Sequence, residues 1–191
     1  MSKIALLLSP GFADWEYAFI AGTGRLYYGL DVRFFATNPG NLTSQGGLEC
    51  IAPHGKDDLV SWQPDVLVVV GGLVWEQDTA PDIKPLLINQ LDSDGAVAGI
   101  CGGTLALARA GILDDVEHTS NSAEFLETAR GYAGHNTYRN SRSAIVSDRI
   151  VTSPGPAPIS FTAEVFRLAG LDRKTVDSFQ TMMAAEHLNT A

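Results

Sequence analysis

At 191 residues, with 45% hydrophobic and 18% charged side chains, the chain has the composition of one globular domain with a sizeable core, not of a disordered segment. Its net charge of −9 argues against a nucleic-acid or anionic-membrane surface, since both need a basic patch. No segment has the length and purity of a membrane span, and two cysteines do not make a disulfide scaffold, so free thiols in the cytoplasm are expected.

The first apolar run, KIALLL (Lys3–Leu8), is too short for the hydrophobic core of a signal peptide and reads as a buried strand. It is followed by DWEYAFIAGTGRLYYGL, where apolar residues recur at helical spacing and Gly29 makes a C-terminal stop. Further strands are expected at DVRFFAT (Asp31–Thr37), DVLVVVGG (Asp65–Gly72) and AVAGI (Ala96–Ile100), runs suited to a parallel sheet covered on both faces. A crossover helix fits APDIKPLLINQLDSDG, with Asp82 near its start and Gly95 past its end.

Two stretches depart from the alternation. NLTSQGGLECIAP reads as a hairpin closed around Gln45-Gly46-Gly47, and SAIVSDRIVTS as another that turns at Ser147-Asp148. Two helices follow, APISFTAEVFRLAG and DRKTVDSFQTMMAAEHL, split at Gly170-Leu171-Asp172. With no repeat, linker or low-complexity tract, residues 1–191 read as a single α/β domain with a mainly parallel central sheet.

Cys101 stands between the strand Ala96–Ile100 and a helix expected over Thr104–Ala110, where Gly102 and Gly103 allow a tight, strained turn. This is the cysteine counterpart of the G-x-S-x-G elbow. A thiol there faces free N–H groups at a helix start, which favour thiolate, and the Gly102 N–H is a candidate oxyanion donor. Strand carboxyl ends are also where open parallel sheets bind ligands. The plainer alternative is a small core hydrophobe, the usual fate of a free cysteine. Cys50, in LECI and without an elbow, fits that role better. For Glu16, spacing alone favours a solvated first-turn acid beside Asp14.

GICGGTLALARAGIL, with VLVVVGG upstream and FADWE after the first strand, resembles the DJ-1/PfpI superfamily, related in fold to class I glutamine amidotransferases. The resemblance runs from KIALLLSPGFADWE to VTSPGPAPISF. It implies a flavodoxin-like three-layer sandwich, often a homodimer, in which Cys101 matches the elbow nucleophile and Glu16 the carboxylate of the first βα loop. It also implies a cysteine-dependent enzyme, lyase or hydrolase, acting on a small-molecule electrophile. A reactive carbonyl such as methylglyoxal is the expected class, in glyoxalase- or deglycase-like chemistry. The other functions open to such a chain are a thiol redox sensor or stress-response chaperone, an amidotransferase or peptidase, and an isonitrile hydratase.

The chain departs from the family at two places. A histidine frequently follows the elbow helix, but Asn121 stands there, and His118, on a short strand, is expected to point to the opposite face. PfpI-type peptidases carry histidine directly after the cysteine, where this chain has Gly102. A Cys-His pair activates the thiol and protonates the leaving group; Asn121 orients a substrate but carries no proton near neutral pH. Peptidase activity is therefore not expected.

Other candidates are Gly71-Gly72, closing a strand, with Gly72 as a second oxyanion donor, and Ser153 in TSPGPAP as a ligand contact. For both, a simple turn remains the alternative. Trp15 and Trp75 either wall the pocket or fill the core. His54, His118, His135 and His187 lack metal-ligand spacing, so no metal is expected. The lone G-x-G of AGTGRLYYG is too weak for a nucleotide, so no cofactor is expected either.

Overall fold

The structure is a computed structural model that describes residues 1–185. Six strands form the central sheet, β1 (Lys3–Leu8), β2 (Asp31–Ala36), β5 (Val66–Val69), β6 (Ala96–Ile100), β7 (Ile145–Ser147) and β8 (Ile150–Ser153). Their order is β2-β1-β5-β6-β8-β7, parallel except for the edge strand β7. β3 (Gly40–Thr43) and β4 (Glu49–Ala52) form a separate antiparallel hairpin.

The described residues also form seven α-helices: α1 (Asp14–Tyr28), α2 (Lys56–Trp62), α3 (Lys84–Asp92), α4 (Gly103–Arg109), α5 (Ala123–Glu127), α6 (Pro158–Leu168) and α7 (Arg173–Met183). Alternation along the strands sorts them into layers. Ile4, Leu6, Val66, Val68, Ala98 and Ile100 pack on one side with α1, α6 and α7. Ala5, Leu7, Leu67, Val69 and Val97 pack on the other with α2, α3 and α4. Because both faces are covered, β1 and β5 read as continuous apolar runs. The result is the expected three-layer sandwich.

Most boundaries fall where the sequence puts them. Gly29 ends α1 in the left-handed region at φ 65°, its N–H donating to the Gly24 carbonyl. Asp148, at φ 52°, turns the second hairpin. The misses have local causes. β5 stops at Val69, so Gly71 and Gly72 lie beyond the strand, and a single 3-10 turn follows at Leu73–Glu76. α3 starts at Lys84 rather than near Ala80, with Pro85 in its first turn and Asp82 Oδ1 accepting the Lys84 N–H. The sequence reading lacked α2 and α5, both short. His118 lies on no strand; it makes one isolated bridge to Tyr138. His187 and the end of the last expected helix, residues 186–188, lie outside the described residues.

The parallel register brings the carboxyl ends of four strands, β1, β5, β6 and β8, together. Leu8 pairs with Ala36 on one side, Val69 with Gly99, and Ile100 with Ser153. The loops that carry Glu16, Gly71, Cys101 and Gly155 therefore leave the sheet at one edge. The β3–β4 hairpin braces the first of them: Asp14 Oδ2 accepts the Gly46 N–H at 2.8 Å, and Gly11 N–H donates to the Thr43 carbonyl at 2.9 Å.

Candidate active site

Cys101 adopts φ 52°, a left-handed conformation that a residue with a Cβ takes only where its surroundings enforce it. Those surroundings are specific. Its N–H donates to the Ser153 carbonyl at 3.0 Å, continuing the β6–β8 ladder by one residue. Its carbonyl accepts from the Thr104 N–H at 3.0 Å and from Thr104 Oγ1 at 2.6 Å, which starts α4. The chain must reverse tightly here because the next residue has no room for a side chain. A Cβ on Gly102 would lie 2.8 Å from the Gly72 carbonyl oxygen and 3.1 Å from the Gly72 nitrogen. A histidine at position 102 thus requires the Gly71–Gly72 segment to move.

Glu16 is fully buried in the first turn of α1. Its Oε2 accepts the Gly71 N–H at 2.8 Å. Oε1 has no hydrogen-bond partner among the described residues, and the carboxyl as a whole lies beside the Cys101 thiol. Gly71 is glycine by necessity, since a Cβ would lie 2.3 Å from Glu16 Oε2 and 2.9 Å from Cys101 Cβ. The solvated first-turn acid is thereby set aside: Asp14 takes that role, and Glu16 points inward.

Burial sets the electrostatics. Desolvation raises the Glu16 carboxyl to about 7, against the pull of its bonds to the thiol and to Gly71. Desolvation, followed by the negative charge of Glu16, raises the Cys101 thiol to about 11, while the Asn121 amide and the Gly102 N–H act to lower it. A thiolate favoured by the helix start was the sequence expectation, and it is corrected here. α4 has only seven residues, and its partial charge is outweighed by the burial of the thiol and then by the carboxylate beside the sulfur. The two groups titrate as a pair, so between about 7 and about 11 they share one proton and one negative charge. When that proton sits on Oε1, the acid donates to a thiolate; when it sits on sulfur, the carboxylate is the base. Either way it stays inside the site.

Asn121 is at the sulfur: its Nδ2 donates to Cys101 Sγ at 3.2 Å, and its Oδ1 accepts the Gly155 N–H at 2.9 Å. His118 is turned away, as the sequence implied. It is fully buried, its Nδ1 at 2.8 Å from the Val116 carbonyl and its Nε2 at 2.7 Å from the Tyr132 hydroxyl. A carbonyl only accepts, so Nδ1 carries the proton and Nε2 accepts from Tyr132. Burial pushes its pKa down, which keeps the ring neutral.

Ser153 reaches the site through its backbone. Its hydroxyl is buried and donates to the Pro154 and Ala157 carbonyls at 3.1 and 3.4 Å, so the expected ligand contact is corrected to a support of the loop. The residue of TSPGPAP that meets the thiol is Gly155, where a Cβ would come within 3.1 Å of Sγ and 3.4 Å of Glu16 Oε1. Trp15, about half exposed, donates its indole N–H to the Gly155 carbonyl at 3.2 Å. Trp75 is core: it lies beneath the elbow, fully buried, with its N–H on the Val70 carbonyl at 2.9 Å.

Among the described residues no group of histidines, cysteines and carboxylates has the arrangement of a metal centre, and no helix is long and apolar enough to cross a membrane. A cavity of about 400 Å³ lined by Gln63, Asn89 and Arg149 opens at the amino ends of the strands, the opposite edge from Cys101. Its guanidinium is occupied by the Leu91 and Gly95 carbonyls.

Known proteins share this arrangement of strands and loops. The chain is 36% identical to the DJ-1 superfamily protein Atu0886 of Agrobacterium tumefaciens, whose crystal structure superposes with a TM-score of 0.92 over 98% of this chain and all of that one. It is 28% identical over 173 residues to the "Uncharacterized protease YoaZ" of Bacillus subtilis (strain 168), covering 86% of this chain and 82% of that protein. The "Uncharacterized protease YdeA" of the same organism is 25% identical over 186 residues, 96% of this chain and 90% of that one. Residues 2–168 match the DJ-1/PfpI family, and since that span holds both the sheet and every loop around the thiol, the chain belongs to it.

Proposed function

We propose that the protein is a cysteine-dependent enzyme that acts on a small reactive carbonyl through a covalent Cys101 adduct, with Glu16 as the proton carrier. The observation that carries this reading is a buried carboxyl at about 7, one oxygen of it unpartnered, beside a strained elbow thiol. In the first step the thiolate sulfur attacks the aldehyde carbon of an α-oxoaldehyde such as methylglyoxal. The C=O π pair moves to oxygen, and Glu16 gives that oxygen its proton, leaving a neutral hemithioacetal and a carboxylate. The N–H groups of Gly72 and Gly102 stabilise the charge on oxygen as it forms. The Glu16 carboxylate then takes the C–H proton of the hemithioacetal carbon, giving an enediolate, and returns it to the neighbouring carbon, while the hydroxyl proton of the hemithioacetal passes to the neighbouring oxygen; the adduct is then a hydroxyacyl thioester. Water hydrolyses the thioester, so methylglyoxal and one water give lactate and the free thiol. An acid near 7 suits both transfers, because neither protonation state is costly at neutral pH.

Peptide hydrolysis, suggested by the names of the two Bacillus relatives, fits these residues less well. The leaving amine needs a proton donor on its own side of the thiol, and Asn121 occupies that position without a titratable group. A non-enzymatic thiol sensor would use the same donors around an oxidised sulfur and would show no turnover. The test is a panel of α-oxoaldehydes, isonitriles, amides and peptides with wild type and Cys101→Ser. Lactate formed from methylglyoxal by the wild type alone supports the proposal. Turnover of peptides without carbonyls overturns it, and so does peroxide oxidation of Cys101 in a protein that turns over nothing on the panel.

The homodimer belongs to the same proposal. Leu48 and Ile51 on the small hairpin are exposed, offering an apolar edge for a symmetric contact. Light scattering at micromolar concentration is expected to give twice the chain mass, and the mass of one chain rejects it.

A further inference from the structure

Asn121 can present either its oxygen or its nitrogen to the thiol, and only the nitrogen is useful there, because a thiolate needs a donor. What fixes the choice is the Gly155 N–H, which must meet an acceptor and takes Oδ1. Gly155 lies past the end of β8, so no strand ladder holds its peptide. From below, the loop is held by the Ser153 hydroxyl on the Pro154 and Ala157 carbonyls and by the Ala157 N–H on the Pro154 carbonyl at 3.1 Å. From above, the hold on the Gly155 carbonyl is the Trp15 indole N–H at 3.2 Å, from a segment 140 residues away. A ring about half exposed gains little from burial, so packing does not account for its placement across this loop.

We propose that Trp15 is a positioning residue for the thiol: its indole N–H pins the Gly155 peptide, which turns the Asn121 amide so that Nδ2 donates to Cys101 Sγ. The first turn of α1 then acts on the sulfur from two sides. Glu16 reaches it directly, and Trp15 acts through Gly155 and Asn121. This inference rests on Cys101 being the reactive thiol of the proposed function, but it concerns the free enzyme and needs no substrate.

The test is the rate of Cys101 alkylation by iodoacetamide, measured from pH 6 to 10 in wild type, Trp15→Phe, Asn121→Ala and the double variant. One hydrogen bond to the sulfur corresponds to a roughly two- to ten-fold change in thiolate population. Trp15→Phe keeps the ring and loses the N–H, so its profile is expected to move to higher pH in the same direction as that of Asn121→Ala. In the Asn121→Ala background, Trp15→Phe is expected to add nothing, because both changes break one chain of contacts. Additive effects, or a Trp15→Phe profile superposable on wild type, overturn the proposal while leaving Cys101 as the nucleophile. If Cys101 fails to alkylate in any variant, the proposed function is what fails. Hydrogen exchange of the Trp15 indole N–H then still decides the latch. Protection in wild type is expected, and exchange at the rate of a free indole refutes it.

Discussion

The molecule holds two thiols, and the difference between them shows what makes one a candidate nucleophile. Both are half-buried, so exposure does not separate them. Cys50 sits on β4 opposite Leu42, packed beside the core in an ordinary strand, with no hydrogen bond to its sulfur among the described residues. Cys101 stands at φ 52° with an amide and a peptide N–H on the sulfur and a buried carboxyl beside it. Reactivity here is a property of the neighbours, and each neighbour can be removed.

The largest effect is expected from Glu16→Gln. The amide keeps the shape and can still accept the Gly71 N–H, but it has no proton to move. Turnover of the carbonyl substrate should fall at least ~10²-fold, a size typical of losing general acid–base catalysis. Retained turnover would return the site to a Cys-only mechanism and remove half of the contrast between the two thiols.

Alkylation comes next. Cys101 is expected to differ from Cys50 in the pH dependence of its reaction with iodoacetamide, since the Glu16–Cys101 pair carries one negative charge above about 7 while burial and that charge hold the thiol itself up at about 11. Peptide mapping reads this directly. The Cys101 profile should climb in two stages, near 7 and again toward 11, and Glu16→Gln should collapse it to a single stage. Identical pH profiles for the two thiols would erase the distinction.

The same carboxyl leaves a mark on stability. Its folded pKa of about 7 lies above the unfolded value of 4.5, so the native state holds more protons than the unfolded one between those limits. Stability contributed by the protonated form is complete below 4.5 and is lost as pH rises through about 7, by roughly 3 kcal/mol in all. Glu16→Gln removes the slope. Its Tm should exceed wild type by about 6–12 °C at pH 8 and match it near pH 4, on the usual scaling for a domain of this size. An active-site change that stabilises the fold would identify Glu16 as a residue kept for chemistry.

How far the sequence foretold this depends on the range of each interaction. β1 and β6 were legible to the residue because a strand buried on both faces is a continuous apolar run between turn residues. Cys101 was legible because its strain is announced by the Gly-Gly that follows. Gly155 was not: it meets the thiol only because β8 lies beside β6, pairing residues 53 apart, and the sequence pointed to the nearby Ser153 as the ligand contact. The direction of the thiol pKa was misread for a related reason. The short helix that favours thiolate is local and visible in the chain, whereas the burial and the Glu16 charge that outweigh it arise from three loops meeting in space. α2 and α5, at seven and five residues, are too short to show a helical period.

The smallest effect on the thiol is expected from His118→Ala, though its effect on the fold is not small. His118 lies among Tyr132, Tyr138 and the Val116 carbonyl, ring against ring, and makes no contact with the sulfur. Removing it leaves the buried Tyr132 hydroxyl without its acceptor, a loss of about 1–3 kcal/mol that should appear as a lower Tm. The pH dependence runs opposite to that of Glu16. Burial depresses the histidine below its ordinary 6.5, so the stability it contributes is present above that value and is lost as pH falls through the folded pKa. In His118→Ala the acid-side loss should therefore flatten while the slope due to Glu16 persists. Provided the variant is folded, as circular dichroism can establish, its Cys101 alkylation profile should overlay that of wild type and its turnover should stay within about twofold, as for a residue outside the reacting groups. If instead His118→Ala abolishes turnover and Glu16→Gln retains it, the proton carrier has been assigned to the wrong side of the thiol, and a Cys-His hydrolase becomes the better account of the same elbow.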